Sequence, residues 1–178
     1  NPNTHYALVK LEISDIKESK VALKMPVWTP GSYMVREFER NIEQVTANAG
    51  NKSILINKSD KSTWTIDNKS GEKTIQVIYK VYCFENTVRT SYIDNDHAFL
   101  LLSSCLLYAD KQGAGTLDIN YPETWSSIST TLIQTKPNLF SFNNYDELID
   151  SPIEIGNHQV LKFEVAGVPH TVALVGKN

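Results

Sequence analysis

The chain has 178 residues, 41% hydrophobic and 21% charged, with 17 Lys and Arg against 20 Asp and Glu for a net charge of −3. That balance supports a folded core and excludes disordered, collagen-like and coiled-coil classes. The longest apolar stretch, Ala98 to Ala109, is interrupted by Ser103 and Ser104 and is too short for a membrane span of roughly 20 residues, while the scattered lysines leave no continuous basic surface for nucleic acid or an anionic membrane.

In chain order, apolar residues recur with period two in short runs, the pattern of a strand with one buried face. Tyr6, Leu8, Leu11 and Ile13 form the first run, and Val21 with Leu23 follows the polar turn Ser14 to Lys20. Two prolines, Pro26 and Pro30, then bracket Trp28 and fix an extended path, and Gly31 permits a left-handed turn. A helical turn is predicted around Ser32 to Phe38. Ile54 to Ile56 and the pair Trp64 and Ile66 are further strand segments. The clearest strand runs from Thr74 to Phe84, where Ile75, Val77, Tyr79, Val81 and Cys83 share one face. Helical turns are predicted after His97 and over Asn144 to Leu148, the latter capped by Asn143 or Asn144. Leu117 to Tyr121, Ile128 to Ile133, Val160 to Val165 and Val168 to Val175 complete the series, separated by Gly- and Pro-containing turns.

Ten or more short strands at spacings of roughly 10 residues predict an all-β, mainly antiparallel fold: a sandwich or a curved, saddle-like sheet with one to three short helices. The composition shifts near Asp150-Ser151-Pro152, which divides the chain into a β domain over 1–150 and a terminal segment over 151–178. That segment holds either the first strands of a following domain or the last strands of the same one.

Chemical motifs are sparse. The four histidines, at positions 5, 97, 158 and 170, never form His-Glu-x-x-His, the spacing that turns two imidazoles and a general base toward one zinc ion. His97 and His170 could meet Asp94, Asp96 or Glu154 in space, but a hydrogen-bonded structural role is preferred for each. Asp94-Asn95-Asp96 lacks the following Gly and distal Glu of a calcium loop and reads as an Asx-stabilised turn. No nucleophile elbow, phosphate loop or dinucleotide fingerprint is present. Cys83 and Cys105 could close a loop of about 22 residues; two buried, unpaired thiols are the preferred reading. Asn-Lys-Ser triplets at Asn51, Asn57 and Asn68 fit the glycosylation pattern in form, yet read as ordinary solvated turns.

The segment Pro26-Val27-Trp28-Thr29-Pro30-Gly31-Ser32-Tyr33-Met34-Val35-Arg36-Glu37-Phe38 resembles the amino-terminal signature of glycyl aminopeptidase-type zinc metallopeptidases. That family joins a β domain, a thermolysin-like domain and a PDZ domain. Ser91 to Asp94 with His97 to Leu100, Tyr121 to Trp125, and Tyr145 to Gly156 match it in order, so the resemblance covers essentially the whole chain. It implies the amino-terminal portion of such an enzyme, without the His-Glu-x-x-His helix; zinc and general base are expected in a downstream catalytic domain, and no catalytic or metal-binding residue here. The expected partners are that domain and, in the parent protein, a peptide substrate. A start without Met fits removal of a signal segment, and the compartment reading leans to the periplasm or secretion.

Candidate wall residues of the peptide cleft or domain interface are Tyr33, Arg36 and Glu154, the last because a carboxylate can pair with a substrate α-ammonium. Glu154 could equally pair with a neighbouring Lys. The alternative is a stand-alone β-sandwich module binding glycan or protein through Trp28, Trp64 and Trp125; a complete small hydrolase is the third reading.

Overall fold

A computed structural model describes residues 1–29, 31, 33–110 and 113–176. Among these, strands dominate, every pairing between them is antiparallel, and none of the sheets closes into a barrel. The first sheet orders the strands Tyr6–Ile13, Ile75–Tyr82, Ile42–Ala49 and Lys52–Ile54. The second orders Tyr108–Ala109, Lys20–Lys24, Thr63–Asp67 and Ile56–Lys58. Their inward faces meet in one core. Leu23 and Ile66 from the second sheet and Ile75 and Val77 from the first are all at 0% exposure, a degree of burial worth roughly 1.5–3 kcal/mol per side chain.

Residues 54–56 show how the two sheets are joined. The sequence reads them as one run, but Ile54 pairs with Ala47 in the first sheet and Ile56 pairs with Ile66 in the second. Leu55 sits at the corner, exposed, as the chain switches sheets. In the opening strand the buried side is Ala7, Val9, Leu11 and Ile13, which face Val81, Tyr79, Val77 and Ile75. Leu8 therefore points outward, because a period of two cannot place it beside Leu11.

The strand Ile42–Ala49 is absent from the sequence reading for a definite reason. Its register shifts between Glu43 and Thr46, and Gln44 is left-handed at φ 54°. This bulge resets the alternation, so that Ile42, Val45, Ala47 and Ala49 all pack inward despite their irregular spacing.

Two smaller sheets extend the body. One orders Gly115–Asp118, Leu139–Phe142 and Ile133–Lys136; the other orders Ser127–Ser129, Ile153–Gly156, His97–Leu100 and Tyr92–Ile93. The segment after His97 is thus a strand followed by a 3-10 turn at Leu102–Ser104, not an α-helix. Over the predicted helical turn at Ser32 to Phe38, Ser32 lies outside the described residues, and residues 33–37 carry no helix; a 3-10 turn begins only at Phe38. The helix Tyr145–Ile149 forms as expected. The Asn144 side chain accepts from the Glu147 N–H at 2.9 Å, satisfying a donor that the first helical turn leaves without a partner, and Glu147 Oε2 reaches back to accept from the Asn143 N–H at 2.6 Å.

Two buried polar side chains are held closely. Asn68, 2% exposed, donates to the carbonyls of Glu18 and Glu72 and accepts from the Glu72 N–H. The Tyr79 hydroxyl donates to the Cys105 carbonyl and accepts from the Leu107 N–H. Both cysteines are buried and free, as the sequence reading preferred.

The C-terminal hairpin contrasts with everything before it. Gln159–Val165 and Val168–Leu174 pair with each other and, among the described residues, with no other strand. Leu161, Phe163, Val165, Val168 and Leu174 are all exposed.

Candidate functional site

The densest cluster of chemistry lies on the outer face of the sheet containing Ile153–Gly156. Alternation sends Ile153 and Ile155 into the core, at 0% and 3% exposure, and turns Glu154 to the opposite face. Glu154 stands across from Phe99 on one side and Ser129 on the other. His97 reaches diagonally, and its Nδ1 lies 2.7 Å from Glu154 Oε1, the two side chains being 18% and 12% exposed. Among the described residues Glu154 Oε2 has no hydrogen-bond partner. Burial raises the Glu154 carboxyl above its ordinary range, and the bond from His97 opposes that rise.

His97 is itself set by the preceding turn. Asp94 Oδ1 accepts from the N–H groups of Asp96 and His97 at 2.8 and 2.9 Å, and Oδ2 accepts from the Tyr92 hydroxyl at 3.0 Å. Partial burial works to raise the Asp94 carboxyl, but these hydrogen bonds outweigh it and leave it below its usual value. Asp94-Asn95-Asp96 is the expected Asx turn. The Tyr92 ring lies 5.5 Å from that of His97. Gly156 closes the packing: a Cβ there would stand 2.9 Å from His97 Cβ and 3.1 Å from the Asp96 carbonyl oxygen, so the position has no room for a side chain.

Ser129 on the same sheet pairs with His158 in the link between Ile153–Gly156 and Gln159–Val165, Oγ to Nε2 at 2.7 Å. His158 Nδ1 is buried without a partner. Burial, and secondarily the charge of His97, lowers the imidazole below its ordinary value, so His158 is neutral near pH 7. Neither pair makes a nucleophile triad: Ser129–His158 lacks a carboxylate on the second nitrogen, and His97–Glu154 lacks a hydroxyl. Among the described residues, no group of three or more His, Cys, Asp and Glu side chains could hold a metal ion.

The three sequence-predicted residues fall in two places. Glu154 joins His97, rather than a lysine. Tyr33 lies on the segment leading out of the strand Lys20–Lys24, 83% exposed and stacked on Trp28 at 6.3 Å. Arg36 follows on that segment and ties it down with a backbone bond to the Val27 carbonyl at 2.6 Å. Met34 and Val35 are exposed beside them, making an apolar tongue. A groove of about 350 Å³ runs next to it, lined in part by Lys24, Trp28, Tyr108, Tyr145 and Asp146. Trp64 and Trp125 are buried. His170 stays apart on the hairpin, stacked on Phe163. Ser129 and His158 carry no local signal in the sequence, since only the fold brings them together across 29 residues.

The sequence of residues 1–157 matches the Peptidase M61 N-terminal domain. No curated protein matches the chain. Among solved structures, a crystal structure of an aminopeptidase N family protein from Idiomarina loihiensis superposes with a TM-score of 0.91 at 26% identity. The match covers 99% of this chain and 31% of that one, so the chain spans about a third of that protein's length.

Proposed function

Because the chain belongs to the Peptidase M61 N-terminal domain family, we propose that it is the noncatalytic amino-terminal domain of a zinc-dependent aminopeptidase and helps to shape the peptide-binding cleft. The observation that carries this reading is the hairpin. It follows directly after the matched residues 1–157, presents apolar side chains to solvent, and is retained in the superposition on a much longer aminopeptidase-type chain. A hairpin of this composition belongs against another layer. In this reading residues 159–174 join the sheet of a following catalytic domain, and the tongue bearing Tyr33 and Arg36 meets the same neighbour.

Among the described residues no cluster fits a zinc site, and in this reading the metal belongs to the neighbouring domain. Zinc there would polarise the scissile carbonyl and activate water. This chain's part is orientation. Glu154, held by His97 with its second oxygen free, is a fixed acceptor for the α-ammonium of a peptide.

Two measurements test the proposal. The isolated chain should carry no stoichiometric zinc and show no turnover of amino acid amides; finding both would overturn the assignment. In the longer polypeptide, Glu154→Gln should raise KM roughly tenfold or more, the scale of a lost charge-assisted contact, with kcat little changed. An unaltered KM removes Glu154 from the cleft.

One observation favours the binding-module reading: the exposed Trp28–Tyr33 stack. Under that reading Trp28→Ala abolishes binding of a glycan or protein ligand to the isolated chain. Under the first it changes only the contact with the catalytic domain.

A further inference from the structure

We propose that Cys83 and Cys105 form a redox site that closes to an intramolecular disulfide by exchange with an external disulfide, such as oxidised glutathione or a protein disulfide. Three bonds gather the two residues at one place in the core. Cys83 directly follows the strand Ile75–Tyr82, with its side chain on the same buried face as Tyr79 and Val81. The Tyr79 hydroxyl holds the Cys105 carbonyl at 3.1 Å, and the Ile93 N–H holds the Cys83 carbonyl at 2.8 Å. Ser91, two residues before Ile93, places its hydroxyl 3.0 Å from Cys105 Sγ. Cys83 Sγ donates to the Val81 carbonyl at 3.5 Å, and the two sulfurs lie close enough that each is the largest influence on the other's thiol.

The surroundings also assign an order to the two sulfurs. The hydroxyls of Ser91 and Ser104 lie 3.0 and 3.7 Å from Cys105 Sγ, donors that stabilise a thiolate there and help to draw its thiol below the ordinary value, whereas Cys83 Sγ faces the Val81 carbonyl, an acceptor, and the Cys105 sulfur and burial push its thiol up. Cys105 is therefore the attacking thiolate. It displaces one sulfur of the external disulfide, giving a mixed disulfide and a thiolate that takes up the proton Cys105 released. Cys83 then loses its proton and attacks the Cys105 sulfur, expelling the second external thiol. Two protein thiols are oxidised, and one external disulfide is reduced to two thiols. Both sulfurs are buried, so exchange takes place during folding. The bond would close the base of the arm over residues 84–104, which carries Tyr92, Asp94 and His97.

The chain is refolded from denaturant in oxidised glutathione, so that access to the sulfurs is not limiting, and compared with the reduced protein by intact mass, thiol titration and melting. The expected product is a monomer lighter by two hydrogens, in which the tryptic peptides over 81–89 and 90–111 are linked. It should melt several degrees above the reduced form, on the order of 5 °C for a loop of this length. Cys83→Ser should leave Cys105 as a glutathione adduct and abolish the gain. Two free thiols after oxidative refolding, glutathione on both sulfurs, intermolecular dimers, or a lower melting point for the linked form would each overturn the proposal.

Discussion

The body of the molecule and its C-terminal hairpin are written in the same alphabet and reach opposite ends. Ile75–Tyr82 alternates so that Ile75, Val77, Tyr79 and Val81 lie at 0–1% exposure. Gln159–Val165 has a comparable share of apolar residues, yet all seven positions are exposed. The difference is not propensity, since both segments pair into regular antiparallel ladders. It is the presence or absence of a second layer. A strand gains its stability from what covers its face, and a two-stranded ribbon without cover is marginal.

This contrast can be broken or sharpened by measurement. The largest effect is expected in the shared core: Leu23→Ala should cost about 2 to 5 kcal/mol in urea denaturation, through lost burial and the cavity left behind. Asn68→Ala should come next, at about 1 to 3 kcal/mol, because it removes the three hydrogen bonds that a buried side chain makes to the backbone of Glu18 and Glu72. Tyr79→Phe deletes one hydroxyl that serves two backbone groups and should cost about 1 to 3 kcal/mol.

A pH effect follows in size. The folded chain holds His158 below the value of about 6.5 that it takes when unfolded. The stability it contributes is complete above that unfolded value and is lost as pH falls through the folded one. Melting curves taken from neutral pH downward should decline more steeply for the wild type than for His158→Gln; parallel curves would remove the role of this imidazole. The smallest effect is predicted for the hairpin itself. Removing residues 159–178 should change the unfolding free energy of the rest by no more than about 0.5 kcal/mol. Amides of the hairpin should exchange with solvent far faster than those of Ile75–Tyr82. A large loss of stability on truncation would show the two regions to be one unit.

How far the sequence foretold this follows from the same contrast. Strands with unbroken alternation, such as Ile75–Tyr82, were legible because period two survives along their whole length. The all-β, antiparallel class followed from them, as did the capped helix at Tyr145. Ile42–Ala49 was illegible because its bulge at Gln44 shifts the period midway. The segment after His97 misled because Phe99 to Leu102 is a continuous apolar run, which suits a buried strand and a helix equally. At the candidate site, Glu154 was chosen for its charge alone. Its partner is fixed by a register that pairs it with Phe99 and sets His97 on the diagonal, and register is a property of the fold rather than of any local stretch. His158 and Ser129 were missed on the same account.

The burial of Asn68 bears on how the protein can be produced. Of the Asn-Lys-Ser triplets, those at Asn51 and Asn57 present their side chains at the surface, whereas the amide of Asn68 is consumed inside. A secretory host that attaches sugars during translation meets all three before the chain folds. Glycans at the first two positions would be carried as passengers. One at Asn68 would occupy the space of the interior and hold the chain open, so the yield of folded material from such a host should rise when Ser70 is replaced by Ala and the acceptor pattern is lost.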